Sequence, residues 1–135
     1  MPISHSVEVE TGILRVRRWG AVTTQDEEQA CKDREGDPQV VPGIPVLVDC
    51  TEVEPPDSTE TIKYVASCTT QLAAELQCGP VAIVVATEVE FGMARMYMAY
   101  TDLAHPNTRV FKSEKDALEW LHDSSKATED TGVAT

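Results

Sequence analysis

Apolar residues along the chain switch between two spacings, every second residue and every third or fourth, and the switches mark its elements. Val7 to Glu10 and Gly12 to Trp19 read as two strands joined by a tight turn at Thr11-Gly12. In the second, Leu14 and Val16 share one face, while Ile13, Arg15, Arg17 and Trp19 share the other. So mixed an alternation predicts a hairpin at or near a sheet edge, with one partly wet face. Thr23 or Thr24 then caps a helix with Asp26 and Glu27 in its first turn, and Glu35-Gly36-Asp37-Pro38 stops it. Ile44 to Cys50 and Val81 to Ala86 are continuous apolar runs, the mark of strands covered on both faces. Between them lies a helix opened by Asp57-Ser58-Thr59-Glu60, with Asp57 as its cap and an inward stripe of Ile62, Val65, Ala66, Leu72, Ala73 and Leu76. A strand at Thr108 to Lys112 and a last helix, capped at Ser113 and burying Ala117, Leu118, Trp120 and Leu121, complete the pattern. The order β-β-α-β-α-β-α-β-α predicts an α/β fold: a mixed, mainly parallel sheet of about five strands with four helices. Residues 1–123 form one domain in this reading, and Ser124 to Thr135, small and aperiodic, a disordered tail.

The third helix stands apart. Phe91 to Tyr100 holds every methionine but the first and two of the three tyrosines. At helical spacing Met93, Met96, Tyr97, Tyr100, Leu103 and Ala104 form a stripe suited to a core. Phe91 and Met98 fall opposite, beside Arg95 and Asp102. A helix apolar on two faces either lies deep in a core or offers one face to a partner. A chain of 135 residues buries few helices all round, which leaves the partner reading open beside packing of Phe91 and Met98 within the fold.

Composition narrows the partners. A formal net charge of −12 argues against nucleic acid and anionic membrane surfaces and favours a basic partner. No run approaches the roughly 18 apolar residues of a membrane span, and no leader is visible, so the chain is expected in the cytoplasm without membrane insertion. Cysteines at 31, 50, 68 and 78 lack Cys-x-x-Cys or His spacing, so reduced thiols are expected, with no metal or other cofactor. His5, His105 and His122 are scattered, and nothing lowers a thiol pKa to pair Cys50 or Cys68 with His105. Asp49 and Asp57 flank one loop at the carboxyl end of a central strand, where ligands bind in open α/β sheets, but acids at strand ends and helix starts are commonplace. With no phosphate loop either, no enzyme is expected.

Several segments together resemble a known family. They are Trp19-Gly20-Ala21-Val22-Thr23, Leu47-Val48-Asp49, Glu90-Phe91-Gly92-Met93-Ala94-Arg95-Met96, and Val110-Phe111 followed by Ala117-Leu118-Glu119-Trp120-Leu121. Their order looks like the STAS domain of anti-sigma-factor antagonists and anion transporters. It resembles more closely the bacterial SpoIIAA-like (STAS/SEC14-type) family of small stand-alone proteins. The resemblance implies that fold and a non-enzymatic habit of binding. In antagonist-type STAS domains a strand-ending Asp is followed, eight residues on, by Asp-Ser-Ser-Gly, whose second Ser is phosphorylated. Here Asp57-Ser58-Thr59-Glu60 follows Asp49 at that distance, which places Thr59 on the modified position and Ser58 beside it. Glu60 in place of the Gly puts a carboxylate beside any phosphate, so helix capping is the favoured explanation of the motif.

Two binding expectations follow. One is a protein-interaction module, with a protein partner or a homodimer seated on Phe91, Arg95, Met98 and Asp102. The other is a pocket for a lipid-like small molecule lined by Asp49, Asp57, Met93, Met96, Tyr97 and Tyr100, as the SEC14-type resemblance suggests.

Overall fold

A computed structural model describes residues 3–54, 59–76, 79–101 and 107–132, with side chains throughout except at 59, 69–76, 100, 101 and 125–132. The elements come in the expected order: β1 (Ile3–Glu8), β2 (Ile13–Gly20), α1 (Thr24–Glu35), β3 (Val46–Val53), α2 (Thr59–Leu76), β4 (Val81–Val84), α3 (Glu88–Thr101), β5 (Thr108–Phe111) and α4 (Glu114–Gly132). The strands form one sheet in the order β1-β2-β3-β4-β5. Only β1 runs antiparallel to its neighbour, and the other three pairings are parallel.

Strand order follows chain order without reversal, so right-handed crossovers keep successive helices on one face. Helices α1, α2 and α3 pack side by side there, while α4 lies against β3, β4 and β5. The two cores reflect this split. Ala30 of α1 packs with Ile3, Leu14, Val16 and Val46, whereas Ala117 and Leu121 of α4 pack with Ile13, Leu47, Ala82 and Val84. Alternate residues of β3 and β4 thus serve opposite cores, Val46 and Val81 the one and Leu47 and Ala82 the other, and burial on both faces explains their apolar runs.

Two strands differ from expectation at their ends. β1 begins at Ile3 and stops at Glu8, because Ile3 and Val7 are the residues that reach the core. Val9, expected in the strand, is 86% exposed in a turn closed by the Gly12 N–H donating to the Glu8 carbonyl at 2.8 Å. Gly12 takes φ 70°, the left-handed conformation that such a turn demands. β3 starts at Val46 and continues past Cys50 to Val53. The pairing steps from Arg17↔Asp49 to Trp19↔Glu52, so β3 carries one extra residue in a bulge. Asp49 serves that bulge: its Oδ1 accepts from the Thr51 backbone N–H at 2.9 Å and from the Thr51 hydroxyl at 2.7 Å. Asp49 therefore sits within the strand and does not end it.

Helix starts follow the sequence closely. Thr23 caps α1, its hydroxyl accepting from the Asp26 N–H at 3.1 Å while Asp26 accepts from the Thr23 N–H at 3.0 Å. Ser113 caps α4 through the Asp116 N–H at 3.3 Å. Asp57, expected to cap α2, lies outside the described residues. Helix α4 continues to Gly132, into the stretch where a loose tail was expected.

Candidate functional site

Helix α3 opens on a second capping box. The Glu90 N–H donates to the Thr87 hydroxyl at 3.1 Å, and the Glu90 carboxylate accepts from the backbone N–H groups of Ala86 and Thr87 at 2.7 and 3.2 Å. This cap turns Glu90 toward the end of β4 and thereby sets the rotation of the helix. Glu90, Phe91, Met93, Ala94, Tyr97 and Met98 are half-buried, whereas Glu88, Val89, Gly92, Arg95, Met96 and Ala99 are exposed. At helical spacing the exposed set fills a single arc of about 120° centred on Gly92.

That rotation corrects the expected faces. Met96, assigned to the core, is 39% exposed, and Val89 beside it is 59% exposed. Phe91 and Met98, assigned to the outside, are half-buried because α3 lies between α2 and β5. Lys112, just past β5, holds its ammonium 5.6 Å from the Phe91 ring and pairs with Glu88. Arg95 faces solvent as expected, and Met93 and Tyr97 face inward. Asp102 and the Tyr100 side chain lie outside the described residues. The outward face is thus apolar along Val89–Met96 and charged along Glu88–Arg95, with Gly92 and Ala99 between. Among the described residues outside its own helix backbone, nothing stands within 4 Å of where a Cβ on Gly92 would project.

Under the helices lies a polar cluster that the sequence reading missed. Arg18 follows Leu14 and Val16 on the core face of β2, and Glu27 lies on the inward face of α1 with Ala30 and Arg34. Glu27 is fully buried, and its Oε2 sits 2.6 Å from Arg18 Nη2. Neither carboxylate oxygen completes a well-angled hydrogen bond among the described residues. Burial works against the Arg18 charge, but the Glu27 carboxylate outweighs it and holds the guanidinium more firmly protonated than usual. Cys50 lies near the pair, and burial pushes its thiol up to about 11 against the partial relief of Arg18. The Cys31 thiol is also pushed up, chiefly by burial, although Arg34 donates to its sulfur at 3.5 Å. Thiols so held are poor nucleophiles. The signal in the sequence was a charge at the third step of an apolar alternation, facing a helix with few apolar residues of its own.

The remaining candidates are placed as follows. Asp49 is engaged in the β3 bulge, and Asp57, Ser58 and the Thr59 side chain lie outside the described residues. So does His105, while Cys31, Cys50 and Cys68 are free thiols. Among the described residues no cluster of three His, Cys, Asp or Glu could hold a metal. The sheet also lacks the reversal of strand order that opens a ligand crevice at the carboxyl ends of parallel strands.

No family model and no curated protein matches the chain. The chain is similar to the crystal structure of an uncharacterized protein of the DUF3478 family, with a SpoIIAA-like fold, from Shewanella loihica PV-4. The two share 23% identity over 88% of this chain and 91% of that one, with a TM-score of 0.58. Element order, sheet pairing and this likeness agree: the chain has the SpoIIAA-like α/β fold.

Proposed function

We propose that the protein is a non-enzymatic cytoplasmic binding module that contacts a protein partner through the exposed face of α3. The observation that carries this reading is the pairing of Val89 and Met96, 59% and 39% exposed, along one edge of that face. These two large apolar side chains stand two turns apart on one edge of the helix, about 10.5 Å along its axis, and water penalises their exposure until something covers them. Methionine adapts to irregular partners, and Arg95 at the rim supplies a directional charge. The raised thiols of Cys31 and Cys50 support a role without covalent chemistry. A photo-crosslinking residue at position 96, read in the native cell against one at exposed Gln29 on α1, tests the proposal. Adducts at 96 that Arg95→Glu abolishes are expected. Equal labelling at the two positions contradicts the reading.

A second reading, a carrier of a lipid-like small molecule, draws on one observation: Glu27 is fully buried with its carboxylate incompletely hydrogen-bonded. A ligand donor could fill that role, as could an ordered water. Native mass spectrometry of freshly purified protein separates them. A bound organic mass lost in Glu27→Gln favours the carrier, and a bare chain mass rules it out. A phosphoswitch at Thr59 or Ser58 is a third proposal, resting on the motif alone. Intact masses from the source cell without added phosphate under every growth condition would remove it.

A further inference from the structure

The exposed face of α3 is complementary to itself. Arg95 lies about 4.5 Å along the helix beyond Gly92, and Glu88 about 6 Å before it. Met96 and Val89 stand in the same relation, about 6 Å beyond and 4.5 Å before. A second α3 laid antiparallel across the first at Gly92, related by a two-fold axis, keeps the charged edges on one side and the apolar edges on the other. Arg95 of each copy then meets Glu88 of the other, and Met96 meets Val89. A parallel pair about a two-fold axis along the helices would instead set the charged edge of each copy against the apolar edge of the other.

Gly92 provides an independent argument. A glycine within a helix costs stability, and a fold accepts it where a neighbour comes close. Among the described residues no neighbour does, since nothing outside its own helix stands within 4 Å of where its Cβ would project. A close approach from outside gives that residue its purpose.

We infer that the partner of this face is a second copy of the chain, paired through α3 antiparallel about Gly92; this rests on the reading of α3 as the contact surface. One helix pair is a small interface, so the dimer forms at high concentration and dissociates on dilution. The Glu88 carboxylate, 80% exposed beside Lys112, remains within reach of the second copy.

Sedimentation velocity of the full chain across a concentration series, with charge-swapped variants, tests the inference. Arg95→Glu and Glu88→Arg should each weaken self-association by about tenfold or more, since like charges then face each other. An equimolar mixture of the two should recover a dimer of wild-type affinity, because every cross-pair is again opposite in sign. Gly92→Leu, whose Cβ meets no described atom within 4 Å outside its own helix, should keep the circular dichroism of the wild type and lose the dimer. A wild-type chain that stays monomeric at millimolar concentration overturns the inference, as does a mixture no tighter than either variant alone. Adducts at position 96 to a different protein would in that case still uphold the contact surface itself.

Discussion

Arg18 and Glu27 show how a single buried pair joins a helix to a sheet. Glu27 is fully buried and Arg18 nearly so, with side chains 0% and 15% exposed. Their attraction opposes the cost of taking both charges out of water, and removing one leaves the other stranded. Glu27→Leu should therefore destabilise the protein by about 3 kcal/mol, and Arg18→Met added to it should restore most of that. Urea unfolding of the two variants checks this, and a double variant no more stable than the single would contradict it. Both residues were present in the sequence as ordinary surface types. Arg18 was legible as an anomaly only once β2 was assigned a core face, and pairing it with Glu27 required knowing that α1 packs on that face.

At the scale of elements, caps and glycines carry testable weight. Thr23→Ala should cost about 1 kcal/mol by freeing the first turn of α1. Asp26 in the same box is held below the usual carboxylate range by the Thr23 backbone N–H and then by its hydroxyl. A carboxyl whose folded pKa is depressed adds stability that is complete above its unfolded value and fades as pH falls through the folded one. Asp26→Asn should therefore flatten the acid limb of a stability–pH profile and leave its slope near neutrality unchanged. Two glycines contrast sharply. A Cβ on Gly79 would overlap the Gly43 carbonyl oxygen and come within 2.9 Å of that of Ile44, so Gly79→Ala should lose about 1–3 kcal/mol. Gly92→Ala meets no described atom within 4 Å outside its own helix and should gain about 1 kcal/mol by helix propensity. Thermal unfolding at low protein concentration distinguishes the two signs. Caps were legible because their chemistry is local: Thr23 with Asp26 and Ser113 with Asp116 each act over three residues. The rotation of α3 was not, because Met93, Met96, Tyr97 and Met98 are all apolar and periodicity ranks them alike. What turns Met96 outward is the inward pull of Glu90 at the cap and the seat of Phe91 beside Lys112.

For the whole molecule, sheet order decides where contacts can form. Sequential strands set α1, α2 and α3 in one layer and leave the opposite face to α4. No described helix is long and apolar enough to cross a membrane. In that layer α3 offers an apolar strip beside a charged one, and we propose that a partner covers it. The methionines report on this directly. Carbon-13 labelling of their methyl groups with a soluble paramagnetic relaxation agent, repeated over a concentration series, reads each side chain's contact with solvent. In dilute solution the Met96 methyl should relax fastest of Met93, Met96 and Met98, and its relaxation alone should slow as concentration rises. Fastest relaxation at Met98, or a Met96 methyl unchanged at every concentration, would contradict the α3 contact face.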